Sequence, residues 1–203
     1  MFASQSTSII ATENVRDYFQ ESVTSAISHQ RLSAAPHTTD YVVDLLVSYT
    51  RSERLFETSP EGKRLTPLAM LYFEALHAES PSARNRSLQR LGDVALFITG
   101  LFADSLHRKL VDVDYYIAMG GNAYAYLAGN LRRGEAVTRE VFEELSEKFV
   151  AFVDILMEVA EQARPACQSD VLRLYELWAK TGSQRAAGQL RNLGIVPIQP
   201  KIH

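Results

Sequence analysis

The sequence predicts an all-α protein, a single-domain bundle of about six to seven antiparallel helices around a central uncharged helix. Three observations lead there. Apolar residues recur at helical spacing along almost the whole chain, and β-branched runs with strict alternation are absent. The connections between periodic segments are short, which sets neighbouring helices antiparallel. Among 203 residues, 46% are hydrophobic and 22% charged, the profile of a globular chain able to bury one substantial core. No β-sheet is expected.

The first two helices are expected at about 12–31 and 38–56, read from apolar spacing alone. The third, about 66–79, opens on LTPLAML, with Thr66 as N-cap and Pro67 at the first helical position, where its missing N–H costs nothing. ESPSARN breaks the chain at Pro81, and Ser82 can cap the helix over about 83–107. Asp112 in VDVDYY caps the next, about 113–131. Basic residues and Gly134 in RRGEAV then mark the junction with a long helix over about 137–163. Shorter helices follow at about 168–180 and 183–192. Two carry strong core-facing stripes: Leu88, Leu91, Ala95, Ile98, Phe102 and Leu106 in one, Val141, Leu145, Phe149, Phe152, Leu156 and Val159 in the other. Residues 1–182 are expected to form the bundle domain. Residues 183–203 add a short helix and an extended basic tail, since no acid follows Glu176 while Lys180, Arg185, Arg191 and Lys201 do.

The run from Tyr115 to Leu131 carries no charge. It is shorter than the roughly 20 apolar residues a membrane span needs, and it contains Asn122, two adjacent glycines and four tyrosines. A helix apolar on all sides is one surrounded by others, so this segment is expected at the centre of the bundle. Folded against VALFITGLFA in an antiparallel hairpin, it would set Gly100 opposite Gly120 and Gly121, where absent side chains permit close backbone approach. Gly121→Leu would then overpack the contact. Tyr116, Asn122 and Tyr124 would need internal partners. Asp93, about one turn from position 124 across the hairpin, is the expected acceptor for the Tyr124 hydroxyl. Asp93, Tyr116, Asn122 and Tyr124 are therefore the candidate ligand-pocket residues.

Two other carboxylates stand in apolar stretches. Helical projection places Asp44 with Asp40, Ser48 and Arg51, and Asp154 with Glu147, Glu158 and Glu161, so both are read as solvated. A competing metal-site reading rests on two acid-x-x-His pairs, Glu74 with His77 and Asp104 with His107, the spacing that places both ligands on one helix face in carboxylate-bridged bundles. The second pair has Asp in place of Glu, and no inward-facing glutamates on two further helices complete the set. Nucleophilic catalysis finds no Gly-x-Ser-x-Gly elbow, and the lone Cys167 has no local histidine. Phosphate-loop spacing is missing as well. TGSQRAAGQLRNLGI resembles the first half of a helix-turn-helix, but Pro197 and Pro200 forbid a recognition helix after it. With a net charge of −3, no basic surplus invites nucleic acid.

GDVALFITGLF followed by DYYIAMGGNAYAYL resembles an uncharacterised family of bacterial helical proteins, over about Thr38 to Val196. The resemblance implies a bacterial, cytosolic protein and transfers no functional residue. MFASQSTSII lacks a positive region and an apolar stretch for export, so a cytoplasmic location is expected. The functional expectation is a non-enzymatic interaction or regulatory protein that acts on an unknown protein partner or by self-association, as a homo-oligomer, with no cofactor, nucleic acid or membrane. The alternative is a metal- or small-molecule-dependent bundle enzyme using the acid-x-x-His pairs.

Overall fold

The computed structural model describes residues 4–50, 56–59, 62–102, 113–131, 133–163 and 171–195. The described chain is helical. Nine α-helices are found among these residues: α1 (Ser4–Gln30), α2 (Pro36–Tyr49), α3 (Leu68–Leu76), α4 (Pro81–Leu101), α5 (Val113–Asn130), α6 (Ala136–Glu147), α7 (Phe149–Gln162), α8 (Val171–Thr181) and α9 (Gln184–Asn192). One departure from pure helix lies between α2 and α3. There β1 (Phe56–Ser59) and β2 (Gly62–Leu65) pair antiparallel, with Phe56 opposite Leu65 and Ser59 opposite Gly62. The expectation of no sheet fails at this hairpin, because four-residue strands are too short for an alternating pattern to register.

Local chemistry explains several boundaries, and moves others from where they were expected. Ser80, not Ser82, caps α4: its side chain accepts from the Ala83 N–H at 3.2 Å, and Pro81 takes the first helical position. Helix α3 starts at Leu68 after Pro67, and the buried Thr66 hydroxyl has no hydrogen-bond partner. Asp112 and its expected cap lie outside the described residues. The long helix over 137–163 is two helices, parted at Lys148, whose backbone (φ −110°, ψ 24°) leaves the helical region. Neither glycine nor proline causes the break. The Lys148 ammonium donates to the Ser33 carbonyl at 2.6 Å and pairs with Glu144 at 2.8 Å, tying the joint to the α1–α2 connection. Across the break Val141, Leu145, Phe149, Phe152, Leu156 and Val159 all remain buried, so the core stripe is continuous although the helix is not. In the other stripe Leu88, Leu91, Ala95 and Ile98 are buried, Phe102 sits at the rim, and Leu106 lies outside the described residues.

Helix α5 packs on α4, α6, α7 and α8 but is not enclosed. Val113, Tyr116, Gly120, Ala123, Tyr124, Leu127 and Ala128 face inward, whereas Tyr126 is 64% exposed and Asn122 faces out. Its outer face is uncharged without being buried, since alanine, glycine, asparagine and tyrosine are all tolerated in water. The α4–α5 pair is antiparallel, but its register differs from the expected one. A Cβ on Gly92 would lie 2.5 Å from the Tyr124 ring, and one on Gly120 would lie 2.7 Å from Ala95 and 2.5 Å from Phe149. Gly100 instead faces α7, where a Cβ would come within 2.3 Å of Leu156, and Gly121 has no neighbour closer than 3.8 Å. The tight glycine of the GG pair is therefore Gly120, not Gly121.

At the C-terminal end of the described chain, Leu174, Leu177 and Trp178 of α8 and Ala186, Ala187 and Leu190 of α9 are buried. These two helices pack on each other, and α9 also reaches α7.

Candidate functional site

Two polar centres flank α5. The first is internal. Tyr124, fully buried, donates its hydroxyl to Asp93 Oδ1 at 2.8 Å, the bond expected from the hairpin geometry. Tyr41 of α2 donates to the same oxygen at 2.6 Å, and Gln89 donates its amide to the Tyr41 hydroxyl at 3.0 Å. Phe142 seals the group from α6. It meets Tyr41 edge-on at 5.3 Å and lies stacked against Tyr124 at 5.5 Å. Burial pushes the Asp93 carboxyl up to about 6, against the two hydroxyl bonds that pull it down. Burial, followed by the adjacent Asp93 charge, pushes both tyrosine hydroxyls well above their ordinary value. A carboxylate between two hydroxyl donors that hold their protons this tightly is a structural clasp joining α2, α4 and α5. The sequence suggested Tyr124 as a partner of Asp93 and missed Tyr41, because nothing local ties residue 41 to residue 93.

The second centre is a cleft of about 630 Å³, opened where α1 ends, α5 presents its middle, α6 breaks into α7, and α8 turns into α9. Asn122 and Gly121 line it from α5, Lys148 and Phe149 from the helix break, and Gln30, Arg31 and Leu32 from the end of α1. Helix α1 terminates in a paired hydrogen-bond motif: Leu32 N–H bonds the Ile27 carbonyl at 3.0 Å and Arg31 N–H the Ser28 carbonyl at 3.2 Å. That motif needs a left-handed residue, and Arg31 supplies it with φ 54°, where glycine is usual and a side chain costs on the order of 1 kcal/mol.

Asp154 forms part of the floor of this cleft. It is buried, contrary to the solvated reading. Its carboxylate accepts from the Ser183 hydroxyl at 2.6 Å and lies 3.5 Å from the Arg185 N–H, while Ser183 Oγ accepts from the Ala186 N–H at 3.0 Å. Together they cap α9. Burial raises the Asp154 carboxyl, and the Ser183 and Arg185 bonds restrain that rise. Helical projection grouped Asp154 with Glu147, Glu158 and Glu161, and of that face Glu147 and Glu161 are exposed while Asp154 and Glu158 are covered: Arg185 pairs with Glu161, and Gln30 and His29 bond Glu158 at 2.7 and 2.9 Å. Asp44 is exposed and pairs with Arg16.

The four pocket candidates are thus divided. Asp93 and Tyr124 join in the clasp, Asn122 lines the separate cleft, and Tyr116 is buried on α5 with its ring edge-on to Tyr115 at 5.8 Å. Of the metal candidates, Glu74 and His77 are exposed on α3, and His77 bonds the Phe73 carbonyl at 2.9 Å. Asp104 and His107 lie outside the described residues. Among the described residues no three or more histidines, cysteines or acids gather as a metal site, and no helix is long and apolar enough to cross a membrane. Sequence reasoning missed Arg31 and Lys148. The one local signal was SHQRLSAAP, a helix end without glycine. No family model, curated protein or solved structure matches this chain.

Proposed function

We propose that this chain is a non-enzymatic interaction protein that self-associates through α3. The observation that carries the reading is the outer face of that helix. Leu68, Leu71 and Ala75 form its one buried stripe, against α4, yet the remainder is apolar apart from Glu74 and His77: Met70 is 52% exposed, Phe73 53% and Leu76 56%, with Tyr72 beside them. A surface helix ordinarily turns charged residues outward. Four large side chains about half exposed leave on the order of 400 Å² of apolar surface, the size at which a patch marks an interaction site.

A second copy of the chain fits this face because Met70, Phe73 and Leu76 form an i, i+3, i+6 ridge that can pack against its own image about a two-fold axis. Pairing two such ridges buries about 800 Å², below the roughly 1,200 Å² of a stable interface, so the dimer is reversible and concentration-dependent. Sedimentation velocity over a concentration series tests it. The parent should shift from monomer to dimer, and Phe73→Glu should remain monomeric with an unchanged thermal midpoint. A parent that stays monomeric throughout, or a variant that dimerises equally, refutes the proposal.

A further inference from the structure

The geometry points to the α1–α5–α7–α8 cleft as a binding site for a small organic monoanion, a carboxylate with an apolar body, held by Arg31. The helix ends provide an internal comparison. Helices α8 and α9 also end on left-handed residues, and there the chain uses Gly182 (φ 67°) and Gly194 (φ 80°). The α9 end repeats the bonds of the α1 end: Ile195 N–H to the Leu190 carbonyl at 2.8 Å and Gly194 N–H to the Arg191 carbonyl at 2.9 Å. Among the described residues Arg31 is the one non-glycine residue with a left-handed backbone, and like Gly182 it lines the cleft. Strain of this kind clusters at binding and active sites.

The charges in the cleft define the ligand. Lys148 is engaged by Glu144 and the Ser33 carbonyl, and Asp154 by Ser183. Gln30 is taken up by Glu158 and the Asp154 carbonyl. Among the described residues the Arg31 guanidinium and the Asn122 amide have no hydrogen-bond or ion-pair partner, and both residues line the cleft. A guanidinium fork and an amide N–H together match a carboxylate. Glu147 on the same wall and the carbonyl ends of α1 and α8 at the rim oppose a dianion, which favours a carboxylate over a phosphate. Leu32, Ile117 and Phe149 supply apolar wall for the remainder of the ligand. The volume of about 630 Å³ lies within the usual range for small-molecule sites.

The test uses the full chain with 4-phenylbutyrate as probe and 4-phenylbutanamide as its uncharged match, followed by calorimetry and by amide NMR shifts. The carboxylate should bind saturably, the amide at least ten-fold more weakly, and the shifts should centre on Gly121 and the Asn122 side chain. Arg31→Gly is the informative variant, because glycine is at home at this backbone angle and folding is not at risk. It should weaken the carboxylate ten-fold or more, leave the amide unchanged, and melt at or above the parent temperature. Absence of saturable carboxylate binding, equal affinity for the amide, shifts centred elsewhere, or an Arg31→Gly variant that binds like the parent would each overturn the assignment.

Discussion

At neutral pH Asp93 holds a charge that the surrounding helices oppose, and the cost can be measured. Its carboxyl is pushed up to about 6 from an ordinary 3.8, a separation worth roughly 3 kcal/mol at about 1.36 kcal/mol per pH unit. The folded state binds this proton more tightly than the unfolded state does. Its contribution to stability is therefore complete below about pH 3.8 and is lost as pH rises through about 6. Asp93→Asn retains an acceptor oxygen for the Tyr41 and Tyr124 hydroxyls and removes the titration. Urea unfolding of parent and variant at pH 4.5, 5.5, 6.5 and 7.5 isolates the effect, because every other group titrates in both. The stability difference, variant minus parent, should rise by about 2 kcal/mol between pH 4.5 and 7.5, the part of the titration falling in that window. A difference constant to within about 0.5 kcal/mol across the range would show that Asp93 titrates as an ordinary surface aspartate, and the clasp as described would be wrong.

The glycine pair on α5 should respond asymmetrically. Gly120→Ala places a Cβ against the Phe149 ring and the rigid Cβ of Ala95 and should cost about 1–3 kcal/mol by thermal or urea unfolding. Gly121→Ala meets nothing closer than 3.8 Å and should gain about 0.5–1 kcal/mol from helix propensity; equal effects would contradict the register. Asp154→Ala strands the Ser183 hydroxyl and weakens the α9 cap, a loss of about 1–3 kcal/mol that hydrogen exchange should report as selective deprotection of α9 amides.

Periodic burial was legible in the sequence because a helix repeats its face every 3.6 residues. Leu88, Leu91, Ala95 and Ile98, together with the Val141–Val159 stripe, are buried as the spacing required. The Asp93–Tyr124 bond was legible for a related reason, since two consecutive helices packed antiparallel have only a few registers that pair their polar groups. The exact register was not. The residues that choose it are small ones, Gly92 against Tyr124 and Gly120 against Ala95 and Phe149, and their fit depends on the shape of a partner that local sequence does not specify.

By itself, then, the sequence determined the helical class and the core stripes, both of which depend on residues near one another along the chain. Tertiary structure alone decided the rest. Asp154 reads as solvated until α9 covers it, the helix over 137–163 reads as continuous until Lys148 reaches the Ser33 carbonyl, and nothing singles out Arg31 until its left-handed backbone is seen on a cleft wall. Each depends on a contact between residues distant in the chain or on a backbone angle set by packing. Such interactions have no period, so no pattern of spacing announces them.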